Sequence, residues 1–280
     1  MPIGVFDSGL GGLTILRALR MALPQQDFVY LGDQANAPYG HKDAAHIREL
    51  TVQGIKCLFR ADCSLVILAC NTASAVALHD IQTEWLDPSQ RRVLGVFVPI
   101  IEHLTSRDWG DNSPPTHTGL RDVALFATPA TVASGAFSRE LRFRARDVHV
   151  EAQACEGLVA AIEAGNMQDA IELVKRHVDA LLKRLPAPQC AVLGCTHYPL
   201  VAEAFQKALP PETRLTSQPD LVAASLKSYL IRHREFAGGS GKFRYLTTGH
   251  PATVSSSAKV FAADPTDFET ADYADATTPR

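Results

Sequence analysis

Val66-Ile67-Leu68-Ala69-Cys70-Asn71-Thr72-Ala73 and Ala191-Val192-Leu193-Gly194-Cys195-Thr196-His197-Tyr198 share one grammar. An apolar run ends in a small residue, a cysteine and then a polar side chain, and a helical pattern follows. A short run that is apolar throughout reads as a parallel strand buried on both faces. Each cysteine then stands at the carboxyl end of its strand, the edge where open α/β sheets bind ligands. Two such turns imply two similar halves, each offering one thiol to a shared cleft. The competing reading is a pair of inert thiols, because cysteine commonly packs as a small hydrophobe. The polar neighbours at both turns weigh against it.

The rest of the chain fits that frame. Its 280 residues are 46% hydrophobic, enough for two domains of ordinary size. A net charge of −3 and the lack of a basic stripe exclude a primary nucleic-acid role. No apolar run approaches the roughly 20 residues of a membrane span. Ile3 opens an apolar run with no charged-then-apolar leader before it, so the expectation is a cytoplasmic protein with reduced thiols. The six cysteines contain no CxxC pair, and no metal site is expected.

Read in order, Ile3–Phe6 is a strand, and Asp7-Ser8-Gly9-Leu10-Gly11-Gly12 is a glycine-rich turn into a helix from Leu13 to Leu23. Such a turn suits either an anion held by free N–H groups or plain close packing. Asp7 argues against phosphate and for a partner bearing an ammonium group. Phe28–Leu31 is a second strand, and Ala35–Gly40 is a loop containing Pro38 and Tyr39. Helices over 43–61 and 73–86 flank the Cys70 strand, and 92–97 forms another strand. Residues 106–121 have loop composition and read as an exposed insertion near a domain junction. The pattern restarts at Asp122–Phe126, with a hydroxyl turn at Thr128 and Thr131, and reaches the Cys195 strand. Strand and helix alternate throughout, which implies parallel sheets. The expected architecture is two pseudo-symmetric, doubly wound α/β domains with the active site between them. The first spans 1–97 plus 209–262 and the second 98–208. Residues 263–280 are acidic and poor in large apolar groups, which suggests a disordered tail.

Two thiols across a small-molecule site suit inversion of a carbon stereocentre. One thiolate removes a proton from one face, and the opposite thiol returns a proton to the other. A cysteine hydrolase built on Cys195 and His197 would leave Cys70 unexplained. A non-catalytic binding protein would need neither thiol.

Asp7-Ser8-Gly9-Leu10-Gly11-Gly12-Leu13, Pro38-Tyr39-Gly40, Cys70-Asn71-Thr72-Ala73-Ser74 and Gly194-Cys195-Thr196-His197-Tyr198-Pro199 resemble the signature blocks of the bacterial glutamate racemases. These belong to the aspartate/glutamate racemase superfamily, which works without pyridoxal phosphate. The resemblance covers residues 1 to about 260 and implies interconversion of L- and D-glutamate, supplying D-glutamate for peptidoglycan. It implies no cofactor and a homodimer. It makes Cys70 and Cys195 the acid/base thiols, with Asp7 assisting Cys70 and His197 assisting Cys195. Glu163 aligns with a family carboxylate, although Ala160 stands where the family has proline. Ser8, Pro38, Tyr39, Gly40, Asn71, Thr72, Thr128, Thr131 and Thr196 would bind the substrate's polar ends together with Asp7 and His197. Ser217-Gln218 stands where the family commonly has Ser-Gly. Cys57, Cys63, Cys155 and Cys190 read as structural, and His41, His46 and His79 as residues without chemistry. A sibling acting on aspartate remains within this reading.

Overall fold

A computed structural model describes residues 1–87, 90–108, 111, 113–261 and 267–271. Among these residues, ten strands form two parallel sheets. The first four are β1 (Ile3–Asp7), β2 (Phe28–Gly32), β3 (Leu65–Leu68) and β4 (Arg92–Gly95). Next come β5 (Asp122–Ala127), β6 (His149–Ala154), β7 (Cys190–Gly194) and β8 (Arg214–Thr216). The last two are β9 (Phe243–Thr247) and β10 (Phe268–Thr270). The larger sheet has the order β10-β9-β2-β1-β3-β4 and the smaller β6-β5-β7-β8. The segments β2-β1-β3-β4 and β6-β5-β7-β8 have the same winding. The repeated cysteine turn of the sequence is therefore a repeat of topology. Cys70 leaves β3 beside β1, and Cys195 leaves β7 beside β5.

Every residue of β1, β2, β3 and β7 is buried, as helices on both sheet faces require. Helix Leu13–Ala22 packs against helix Pro219–Arg232. One apolar cluster runs from Ile3 and Tyr30 through Leu16 and Leu226 to Phe126 and Leu193, so the two sheets share buried packing. Among the described residues, no helix is long and apolar enough to cross a membrane.

Two expectations are corrected. Residues 209–262 do not all return to the first sheet, because β8 pairs with β7, Cys190 opposite Arg214. That pairing satisfies the backbone edge which β7 turns away from β5. Residues 267–271 of the acidic segment do not form a disordered tail. Phe268 is buried against Tyr30 and Tyr245, and β10 pairs with β9. A single aromatic residue offsets the polar composition, and the rest of 263–280 lies outside the described residues. The described residues of 106–121 are mostly exposed, as expected, with a buried anchor. Arg107 is buried and donates to Asp111 Oδ2, Ser113 O and Arg144 O at 2.9, 2.8 and 3.0 Å. Its guanidinium fork ties the loop to the turn after helix Ala136–Arg142.

Candidate active site

Cys70 is extended at φ −69°, ψ 120° and caps helix Asn71–Asp80. The Ala73 N–H donates to Cys70 Sγ at 3.4 Å, and the thiol donates to Ser8 Oγ at 3.4 Å. The thiol occupies the position that serine or threonine usually takes at a helix start. Burial, with the nearby Asp7 carboxylate, pushes the Cys70 thiol up to about 12. Asp7 itself is fully buried at the end of β1, and its Oδ2 accepts from the Gly9 N–H at 2.9 Å. Burial raises its pKa, while the His197 cation and the N–H groups of Gly9 and Gly12 oppose the rise.

Cys195 is also buried, but its partner is cationic. His197 Nδ1 lies 3.8 Å from Cys195 Sγ, and His197 Nε2 lies 2.9 Å from Glu163 Oε1. Burial disfavours the imidazolium, yet hydrogen bonds to Cys195 and Glu163 outweigh it and raise His197 to about 10. Glu163 ends the short helix Leu158–Glu163. It meets His197 across 34 positions of sequence.

The glycine-rich turn acts through close packing. A Cβ on Gly11 would stand 2.3 Å from Thr196 Oγ1 and 2.4 Å from His197 Nδ1, and one on Gly12 would stand 2.6 Å from the Asp7 Cβ. Bare backbone at these positions lets the first helix abut the Cys195 turn. The Thr14 hydroxyl, donating to Thr196 O at 3.0 Å, seals the contact.

Between the two cysteine turns lies a cavity of about 150 Å³. Cys70, Asn71, Thr72 and Ser8 line it from the first half, and Thr128, Glu163, Cys195, Thr196 and His197 from the second. Pro38, Tyr39 and Gly40 also line it. Asp7 and Thr131 stand behind this lining. The hydroxyls of Thr72, Thr128 and Thr131 form a cluster across the cleft, with Thr72 Oγ1 2.9 Å from Thr128 Oγ1 and 3.3 Å from Thr131 Oγ1. Twelve of the fourteen expected site residues thus share one cavity wall. A 360 Å³ cavity on another face, lined by Phe97, Arg139 and Tyr229, contains none of them.

Three residues have a larger place here than sequence reasoning assigned. Cys155, read as structural, and His41 both line the cavity. Asp33 was not singled out. Its carboxylate accepts from Tyr39 Oη at 2.6 Å, Thr248 Oγ1 at 2.7 Å and Asn36 Nδ2 at 2.9 Å. It anchors Tyr39 in the cavity lining, and its signal was an acidic residue just past the carboxyl end of β2.

Comparison with known proteins agrees with this geometry. The Asp/Glu/Hydantoin racemase family profile matches residues 11–219. The chain belongs to this family. It is 58% identical over 271 residues to a glutamate racemase of Paracoccus denitrificans, covering 97% of this chain and all of that one. A glutamate racemase of Thermus thermophilus, solved with beta-chloro-D-alanine, superposes with a TM-score of 0.79 at 33% identity, over 96% of both chains. The glutamate racemase of Francisella tularensis, solved with D-glutamate, gives a TM-score of 0.83 at 28% identity, over 98% of both chains. The chain is accordingly an amino-acid racemase, an isomerase whose two-sheet frame is that of the glutamate racemases.

Proposed function

We propose that the cavity between the cysteine turns interconverts L- and D-glutamate by a two-thiol mechanism without a cofactor, supplying D-glutamate for peptidoglycan. The observation that carries this reading is the pair of topologically matched thiols, Cys70 and Cys195, on the two sides of one cavity. In the L-to-D direction, the Cys195 thiolate takes the α-proton. The C–H electron pair stays on the substrate, delocalised into its α-carboxylate. The Cys70 thiol then gives its proton to the opposite face, leaving Cys195 protonated and Cys70 a thiolate. The reverse direction exchanges the roles. A Cys70 thiol pushed up to about 12 before substrate binds suits the donor role. His197, backed by Glu163, relays protons for Cys195, and Asp7, behind the cavity lining, assists on the Cys70 side near the substrate ammonium.

The α-proton of an amino acid is a very weak acid, so the site must hold developing carbanion charge with preorganised donors in a dry cavity. The Thr72–Thr128–Thr131 hydroxyls, the Asn71 amide, Ser8 and Thr196 serve that purpose at the carboxylates. Pro38, Tyr39 and Gly40, with Tyr39 held by Asp33, complete the lining. The same reading carries a cytoplasmic working place and a homodimer, both resting on likeness to the family. A hydrolase using Cys195 and His197 alone gives Cys70 and the threonine cluster nothing to do.

Optical rotation with no cofactor added tests the proposal. L-glutamate should racemise to zero rotation, and dialysis against a carbonyl trap should leave the rate unchanged. L-aspartate, one methylene shorter, misplaces its α-carbon between the thiols and should react roughly a hundredfold more slowly. Stable rotation with glutamate, or a rate restored only by pyridoxal phosphate, would reject it.

A further inference from the structure

Asn71 lines the cavity, but half of its amide is already engaged. Its Nδ2 donates to Gln218 Oε1 at 2.7 Å, and Gln218 Nε2 donates back to Asn71 Oδ1. Both side chains are almost fully buried, at 2% and 1% exposure. Gln218 itself does not line the cavity. A primary amide has two N–H donors and two acceptor lone pairs. The reciprocal pair uses one of each and leaves Asn71 one donor and one lone pair for a ligand. An unrestrained amide turns through a broad range about its last torsion, and this pair removes that freedom before substrate arrives.

The position of Gln218 adds a second consequence. It follows β8 of the smaller sheet by two residues and starts helix Pro219–Arg232. Asn71 follows Cys70 at the end of β3 in the larger sheet. The pair therefore joins two sheets across 147 positions of sequence. We propose that Gln218 is a positioning residue: it sets the Asn71 amide for substrate and clasps the Cys70 turn to the strand end of the opposite sheet. Asn71 touches the substrate, and Gln218 acts only through it. This rests on the racemase reading of the cavity.

Gln218→Met keeps the side-chain volume and removes both hydrogen bonds. Losing a buried pair of this kind should raise KM for glutamate about tenfold in both directions while kcat falls less than threefold. General damage to the fold would instead lower the active fraction, and so kcat, at unchanged KM. The deciding comparison is the double variant. If Gln218 acts through Asn71, Asn71→Ala with Gln218→Met should be no worse than Asn71→Ala alone. Effects that multiply in full, or an unchanged KM in Gln218→Met, overturn the proposal. The wild-type chain offers a test independent of any variant's folding. With 15N-labelled glutamine, the Gln218 side-chain amide protons should exchange far more slowly than those of exposed Gln25. Exchange of Gln218 at the Gln25 rate would also overturn it. A wild-type chain that does not racemise glutamate breaks the underlying reading, whereas a racemising wild type with multiplicative variants breaks only this inference.

Discussion

The Cys70 and Cys195 turns are alike in sequence and in topology, yet their electrostatic settings are opposite. Cys70 sits near the Asp7 carboxylate, held by a serine hydroxyl and a helix-start N–H, and is pushed up to about 12. Cys195 faces a histidine that Glu163 and the thiol itself raise to about 10. One thiol has an anionic neighbour and the other a cationic one. A pseudo-symmetric frame thus holds two different acid/base devices.

The sharpest way to break this comparison is to remove one thiol at a time. Either Cys70→Ala or Cys195→Ala should lower racemisation by at least about a thousandfold, because one face loses its base or donor. The surviving thiol keeps its own face. Cys195→Ala should still exchange the α-proton of D-glutamate slowly in D₂O, and Cys70→Ala that of L-glutamate, as followed by proton NMR. Near wild-type racemisation by either variant would end the two-thiol mechanism. Exchange of the opposite enantiomers would reverse the facial assignment.

A smaller effect is expected at the cation. Glu163→Gln keeps the shape of its side chain and removes the charge that supports His197. The rate should fall roughly ten- to a hundredfold, part of the usual value of a positioned acid/base group. The equilibrium constant between enantiomers is unity, so kcat/KM must fall equally in both directions. The asymmetry appears instead as a larger primary isotope effect with α-deuterated L-glutamate than with the D-form. The pH dependence follows from the sign of the shift. A histidine raised from 6.5 to about 10 by folding stabilises the native state fully below pH 6.5 and loses that contribution as pH rises toward 10. The imidazole resonances of His197 should remain those of the cation at pH 8, and Glu163→Gln should move its titration downward. An unshifted titration would separate Glu163 from His197.

The smallest effect on rate concerns what the larger sheet has beyond the shared four-strand winding. Phe268→Ala should uncouple β10 from Tyr30 and Tyr245 and cost about 3 kcal/mol of stability. A midpoint lowered by several degrees, with kcat within about twofold of wild type, is the expected result. An unchanged melting temperature would show that β10 contributes nothing.

How far the sequence could be read depended on how local each feature is. The two cysteine turns, the Asp7–Gly12 turn and the alternation of strands and helices are patterns of adjacent residues, so they were legible. The short strand at 213–216 was legible too, but its sheet was not, because the open edge of β7 decides which strand Arg214–Thr216 pairs with. Nor was β10, whose polar composition concealed one anchoring phenylalanine. Nothing local marked Asp33, whose partners Tyr39, Thr248 and Asn36 converge on it only in the fold. Gln218 was visible only as a departure from a familiar pair of residues, since its partner lies in the other half of the chain.

The sequence by itself determined that two thiols end two parallel strands in similar halves, because backbone periodicity and turn chemistry are set by neighbours along the chain. The resemblance implied different partners for the two thiols, but only the tertiary structure decided how those partners bury, charge and hydrogen-bond them. Burial and charge act through space, and the groups that act on Cys70 and on His197, namely Asp7, Ser8 and Glu163, come from other elements of the fold.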